Sequence, residues 1–134
     1  MIAVDTNVLV RILVDDPGQP AQVSAARALA GEAADLHVPM IVLVETVWVL
    51  ETSYRLPKSA VLRALEHITS NDAFELENPA RCALALRLYR DANADFSDCL
   101  ILAGCLERGL VLHTFDRRLG KLAGASPISP SSQG

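Results

Sequence analysis

Short continuous runs of apolar residues recur along the chain, and most of them end in polar residues. Such runs are typical of parallel strands that are buried on both faces. The pattern predicts strands at residues 2–4, 36–38, 74–77, 110–112 and 124–128, with the last as an edge strand. We therefore expect a sheet of about five strands.

Between these runs, apolar residues recur at helical spacing. Pro20 and Gly31 frame one helix, because proline is favoured in the first turn of a helix and glycine just past its end. The segment 40–53 is apolar nearly all round, so we expect it to be buried, with the amphipathic segment 58–68 packed on it as a hairpin. The other helices are predicted from Asn7 to before Asp15 and over residues 79–91, 97–108 and 117–122.

Strands that alternate with helices define an α/β fold whose crossovers are right-handed. We predict a three-layer α/β/α sandwich with a mainly parallel sheet. A length of 134 residues, of which 51% are hydrophobic, suits one domain, placed at residues 1–128. Residues 129–134 are rich in Ser, Pro and Gly and predict a flexible tail.

The expected compartment is the cytoplasm. No uncharged apolar run approaches the roughly 18 residues that span a bilayer, so we expect no membrane association. The chain also starts without the basic segment and cleavage site of a secretion signal. Its 3 cysteines contain no CxxC pair, which indicates reduced residues rather than disulfides or a thiolate zinc site.

Several carboxylates stand at positions where parallel α/β folds form sites. Asp5 follows the first predicted strand and Asp116 follows the fourth, and sites form beyond the carboxyl ends of such strands. Glu45 lies in the middle of the long apolar helix, and Asp98 lies in the first turn of the sixth helix. Asp95 is a fifth candidate.

Each acid also has a purely structural interpretation. Asp98 could stabilise the start of its helix, where free N–H groups and the helix dipole favour an acid. Asp116 could pair with one of the arginines that follow it, in an exposed ion pair that contributes little. Asp5 and Glu45 have no basic residue within three positions. Because an uncompensated carboxylate among apolar residues is costly, a functional role is favoured for these two.

If the acids converge, their mutual repulsion requires a cation. An all-oxygen ligand set suits Mg²⁺ or Mn²⁺ rather than Zn²⁺. Such a site also weakens the objection that a net charge of −4 raises against a nucleic-acid partner, since five of the 16 acidic residues would belong to it. Arg11, Arg117 and Arg118 lie close in sequence to the acids and could bind RNA phosphates.

Several motifs together resemble those of a PIN domain, and most closely those of VapC-type toxins. Each motif is short, but their order and spacing match the family over nearly the whole chain. The motifs are DTNVL at residues 5–9, Glu45, ADFSDCLI at residues 94–101, and TFD at residues 114–116.

The resemblance implies a PIN-like fold and an endoribonuclease that depends on Mg²⁺ or Mn²⁺. Such a protein is the toxin of a toxin–antitoxin pair, is usually a homodimer and is neutralised by a VapB-type antitoxin. The positions that match the family's catalytic, metal-binding acids are Asp5, Glu45, Asp98 and Asp116, with Asp95 as an acid often present beside them. The polar residues expected to order these acids are Thr6, Asn7 and Thr114.

The helices predicted at 40–53 and 58–68 offer more hydrophobic surface than one core needs. We expect part of this surface to bind a second copy of the chain or an amphipathic segment of an antitoxin. The sequence does not separate these two partners.

Two other classes of protein also place an aspartate after the first strand. Phosphatases of the haloacid dehalogenase type need a second acid two residues on, where this chain has Asn7. A receiver-like module, which binds metal and regulates without catalysis, needs a lysine at a late strand end. Lys58 and Lys121 do not occupy such a position, and Glu45 has no role there. The receiver-like module remains the alternative of a different class.

Overall fold

A computed structural model describes residues 1–130. The chain divides into two compact units, residues 1–79 and the part from Ala80 onward. The single domain at residues 1–128 stays a prediction. Of the predicted tail, residues 131–134 lie outside the described residues. Within the described part, no helix combines the length and hydropathy needed to cross a bilayer.

The first unit is built on a three-stranded parallel sheet of order β1-β2-β3, in which Leu36 of the central strand pairs with Ile2 and Phe74. Helix α1 packs against α2 and α3, α3 packs against α4, and α4 contacts β3. The elements are β1 (Ile2–Ala3), α1 (Thr6–Leu13), α2 (Pro20–Glu32), β2 (Leu36–Val38), α3 (Met40–Thr52), α4 (Lys58–Ser70) and β3 (Phe74–Leu76).

The core of the first unit comes from the aliphatic faces of α1, α3 and α4 together with the central strand. Each fully buried aliphatic side chain stabilises the fold by roughly 1.5–3 kcal/mol. The predicted hairpin of the third and fourth helices is present, because α3 and α4 pack on each other. The core side chains include Leu9, Val10, Leu36, Leu43, Leu50, Val61, Leu65 and Ile68.

The second unit contains two helices followed by a two-stranded parallel sheet, in which Leu112 pairs with Ala125. The ring of Tyr89 meets that of Phe96 edge-on, with centroids 5.6 Å apart. Gly109 follows the second of these helices with a φ of 66°, a left-handed conformation that glycine adopts at helix ends without strain. The elements are α5 (Pro79–Asp91), α6 (Phe96–Glu107), β4 (Leu112–Thr114), a 3₁₀ turn (Leu119–Lys121) and β5 (Ala125–Pro127).

The five predicted strands are present and every strand pair is parallel, as predicted. Among residues 1–130, the hydrogen-bonded ladders form sheets of three and two strands. The fourth strand begins at Leu112, two residues later than predicted, and only three residues of the predicted helix 117–122 are helical.

Two burial predictions are wrong. Strand β1 is not buried on both faces, since Ile2 is 36% exposed; β1 lies at the edge of its sheet and pairs with β2 alone among the described strands. Helix α3 is not buried all round, since Ile41 and Trp48 are each 63% exposed. Its opposite face carries the core residues, so apolar composition alone did not reveal the exposed face.

Candidate active site

Asp5 joins the first strand to the first helix. It follows the buried Val4 and takes the N-cap position of α1, where its Oδ1 accepts a hydrogen bond from the backbone N–H of Val8 at 3.2 Å. The side chain is exposed. The expectation that Asp5 lies buried among apolar residues is therefore wrong, whereas its role as a metal ligand stays a prediction. Within residues 1–130, its Oδ2 has no hydrogen-bond partner and is available to a ligand.

Glu45 lies on the exposed face of α3 rather than inside a buried helix. Because α1 packs against α3, Thr6 reaches this residue: its Oγ1 donates to Oε2 of Glu45 at 3.4 Å. Thr6 thus connects two predicted site residues, since it is adjacent in sequence to Asp5. This contact supports the predicted role of Thr6 in ordering the acids.

Asp98 is the most perturbed acid of the candidate site. It lies half-buried in the first turn of α6. Burial is the largest cause that raises its pKa above the ordinary value, and the carboxylates of Asp95 and Asp116 raise it further. Asp95 occupies the N-cap position of α6 but makes no capping hydrogen bond with its side chain. The second unit therefore brings three of the five predicted acids into electrostatic contact.

Asp116 lies two residues after β4 and is fixed by the backbone around it. Its Oδ1 accepts hydrogen bonds from the N–H groups of Arg118 and Leu119, both at 2.9 Å. Its own N–H donates to Oγ1 of Thr114 at 3.0 Å. In the described part of the chain no ion pair joins Asp116 to Arg117 or Arg118, so the structural interpretation by pairing is wrong.

A polar cavity of about 270 Å³ lies beside these acids in the second unit. Acidic and basic residues line the same space, a combination that suits a cation and an anion bound beside it. Its lining consists of Ala94, Asp95, Asp116, Arg117 and Arg118.

The described residues 1–130 contain no group of three or more His, Cys, Asp or Glu side chains arranged so that it could hold a metal ion as it stands. In the first unit, Thr6 links the position of Asp5 to Glu45. In the second, Asp95 and Asp116 act on Asp98 through charge. The metal ligand set stays a prediction.

A hydrogen-bonded network around Arg11 was not predicted. Its Nη1 donates to Oη of Tyr54 at 2.7 Å, and that hydroxyl donates to Oδ2 of Asp16 at 2.8 Å. Its Nε donates to Oε1 of Gln22 at 3.2 Å. The hydrogen bond from Tyr54 is the largest cause that lowers the pKa of Asp16, and burial is the largest that raises the pKa of Tyr54. No local sequence signal joins residues that are up to 43 positions apart.

Arg11 also borders a groove between α1 and α2, with a volume of about 370 Å³. The groove extends to Asp5 and Asn7, so it reaches one of the candidate catalytic acids. It lies entirely within the first unit.

The parallel strands, with acidic side chains after them and at the start of a helix, define an α/β protein with an acidic site. Within this class, the chain belongs to the PIN domain family, which it matches over residues 2–125. The predicted PIN-like α/β fold is thereby confirmed.

The chain is also similar to individual members of the family. It is 28% identical over 103 residues to the VapC ribonuclease of Aquifex aeolicus strain VF5, a match that covers 76% of each protein. Among solved structures, it is similar to VapC20 of Mycobacterium tuberculosis, described as a sarcin–ricin loop cleaving toxin. That match has a TM-score of 0.45 and 17% identity and covers 90% of this chain and 93% of the other.

Proposed function

We propose that this protein is an endoribonuclease dependent on a divalent metal ion and that it acts as a VapC-type toxin. Membership of the PIN domain family and similarity to a VapC ribonuclease support the nuclease activity. The observation that carries the proposal is the polar cavity of the second unit, where Asp95 and Asp116 lie beside Arg117 and Arg118, because acidic residues suit a cation and basic residues suit the phosphate. The pKa of the neighbouring Asp98 is raised, first by burial and then by the carboxylates of Asp95 and Asp116. The receiver-like alternative has no comparable support.

Asp5, Asp98 and Asp116 are the proposed ligands of Mg²⁺ or Mn²⁺, with Glu45 and Asp95 as further contributors. The donor set fits such a cation, since carboxylate oxygens are the ligands that these ions prefer. Asp5 keeps one oxygen free of hydrogen bonds within residues 1–130. When bound, the cation lowers the pKa of water and neutralises charge on the phosphate.

The chain's own residues position the other groups. Thr114 and the backbone hold Asp116, so that this carboxylate keeps one orientation. Thr6 holds Glu45, which orients the attacking water. Arg117 lines the same cavity as Asp116 and binds the phosphate. Attack by water on phosphorus breaks the P–O3′ bond, so that one product carries a 5′-phosphate and the other a 3′-hydroxyl.

The proposed partners are RNA as substrate, a VapB-type antitoxin and a second copy of the chain, with the cytoplasm as the proposed compartment. Exposed apolar side chains support a protein partner, because Ile41 and Trp48 lie on the same outer face of α3. These residues flank Glu45 on either side along that face. A partner that covers this face of α3 would therefore also cover Glu45, a proposed catalytic residue.

Incubation of the purified protein with single-stranded RNA tests the proposed function. Cleavage should require Mg²⁺ or Mn²⁺, stop in EDTA and return with excess metal. Asp5→Asn should reduce the rate at least about a hundredfold, the scale expected when a group that stabilises transition-state charge is lost. Asp15→Asn is the matched control, since Asp15 is an exposed acid outside the site, and it should cleave like wild type. Cleavage that persists in EDTA or in Asp5→Asn would contradict the proposal.

A further inference from the structure

The groove between α1 and α2 combines an apolar wall with polar ends. Its volume of about 370 Å³ is at the small end of the range for ligand sites. One end carries Asp5 and Asn7, and Arg11 and Gln22 stand further along it. The apolar wall is formed by Val8, Ala25, Ala26 and Leu29. The groove therefore offers both apolar contact and hydrogen bonds to a small ligand that carries an anion.

Arg11 is held in place along this groove before any ligand binds. Its side chain is only 17% exposed, and Tyr54, Asp16 and Gln22 restrain it. These contacts use Nε and Nη1, while Nη2 has no hydrogen-bond partner within residues 1–130. A restrained guanidinium with free donors binds an anion at a lower entropy cost than a flexible side chain does.

We propose that this groove binds one nucleotide of single-stranded RNA next to the cleaved phosphate. Arg11 binds a phosphate of that nucleotide, and the apolar wall contacts its base and ribose. The amide groups of Asn7 and Gln22 each offer a donor and an acceptor to the edge of the base. The inference rests on the proposed function, because the groove ends at Asp5, one of the proposed metal ligands.

The groove, with a volume of about 370 Å³, is within the range of small-molecule sites. The proposed occupant is therefore a single base that has left the stack of its neighbours. Specific recognition of RNA relies on unstacked bases of this kind. The groove should therefore determine which base is preferred at one position beside the cut.

A substitution that fills the groove tests the proposal without changing a charged residue. Ala25 lines the groove, whereas Ala28 lies on the same helix, is also exposed and does not line it. Ala25→Leu should weaken binding of a fluorescein-labelled single-stranded RNA of randomised sequence by about tenfold, measured by anisotropy in EDTA. Ala28→Leu should bind within about twofold of wild type. If Ala25→Leu binds like Ala28→Leu, the proposal is wrong.

The salt dependence of the same binding tests the role of Arg11. One lost phosphate contact on a single strand lowers the slope of log K against log salt by about 0.7. Arg11→Gln should show this decrease, and Arg27→Gln, which removes an exposed arginine of α2 outside the groove, should not. Because Arg11→Gln also disturbs Tyr54 and Asp16, its folding is checked by thermal denaturation. An unchanged slope in folded Arg11→Gln would overturn the assignment.

The cleavage products separate this inference from the proposed function. With Mg²⁺, Ala25→Leu should still cut RNA but with an altered base preference at one position beside the cut, read by sequencing the fragment ends. If the wild type cleaves RNA and Ala25→Leu has the same base preference and RNA affinity as the wild type, the groove proposal is wrong and the proposed function stands. Absence of metal-dependent cleavage in the wild type would reject the proposed function and the groove with it.

Discussion

At the scale of single residues, Asp98 shows how a residue of a functional site can lower the stability of the folded protein. Its raised pKa means that the folded protein disfavours the charged form relative to the unfolded chain. Below pH 3.8, the ordinary pKa of the side chain in the unfolded chain, Asp98 is protonated in both states and the fold carries no penalty from its charge. This advantage is lost as the pH rises through the higher pKa of Asp98 in the folded protein. At neutral pH, ionised Asp98 therefore lowers the free energy of unfolding.

We predict that Asp98→Asn raises Tm by a few degrees at neutral pH in EDTA, because it removes this unfavourable charge. The difference from wild type should shrink as pH falls below the folded pKa of Asp98. Added Mg²⁺ should raise the Tm of wild type and have less effect on Asp98→Asn. Scanning calorimetry, with Asp15→Asn as the control, measures both effects. A lower Tm for Asp98→Asn in EDTA would contradict the account.

Thr46 is a second residue whose environment is unfavourable. It is 1% exposed, and its Oγ1 is buried without a hydrogen-bond partner in the part of the chain that the structure describes. An unsatisfied buried hydroxyl costs about 1–3 kcal/mol. Its neighbour Glu45 faces outward, so the two side chains differ in exposure although they are adjacent in sequence.

We predict that Thr46→Val increases the free energy of unfolding by about 1 kcal/mol, since valine has a similar shape and no hydroxyl. Urea denaturation measures this change. RNA cleavage should stay at the wild-type rate. A less stable Thr46→Val would mean that the hydroxyl has a favourable partner, such as a buried water.

At the scale of elements, Arg11 and Tyr54 join α1 to the segment that follows α3. Tyr54 also binds Asp16 in the turn after α1, where the N–H of Gly18 donates to the same carboxylate at 2.9 Å. The lowered pKa of Asp16 means that this network stabilises the fold above the unfolded value of 3.8. The stabilisation is lost as pH falls through the lowered folded value.

We predict that Tyr54→Phe lowers Tm near neutral pH, because it removes the main cause of that lowered pKa and leaves Arg11 with fewer partners. The difference between Tyr54→Phe and wild type should narrow as pH falls below 3.8. Thermal denaturation over this pH range measures the trend. A difference that does not depend on pH would exclude the Asp16 hydrogen bond as its source.

The same elements show how far the sequence predicts the fold. Apolar spacing located the helices and strands well, because local periodicity follows secondary structure. It did not reveal that α3 exposes Trp48 or that Ile2 lies at a sheet edge, since both depend on contacts between distant segments. The network of Arg11 was missed for the same reason. The candidate acids of the second unit were predicted from their positions after a strand and at a helix start, whereas the raised pKa of Asp98 required the structure.

At the scale of the whole molecule, our main proposal is that a divalent metal ion bound by acidic residues takes part in RNA cleavage. The chain carries a net charge of −4, which by itself disfavours RNA. A bound divalent cation neutralises part of this charge where the phosphate must approach. Metal binding and RNA cleavage should therefore depend on the same carboxylates.

The most direct test of this claim is the affinity for Mn²⁺, measured by isothermal titration calorimetry on wild type, Asp5→Asn, Asp98→Asn and the control Asp15→Asn. We predict that Asp5→Asn and Asp98→Asn each weaken binding by about tenfold or more, since altering even a residue that only orients a metal ligand costs about that much. Asp15→Asn should bind like wild type. Wild-type affinity in either Asp5→Asn or Asp98→Asn would contradict the proposal that the altered carboxylate binds the metal.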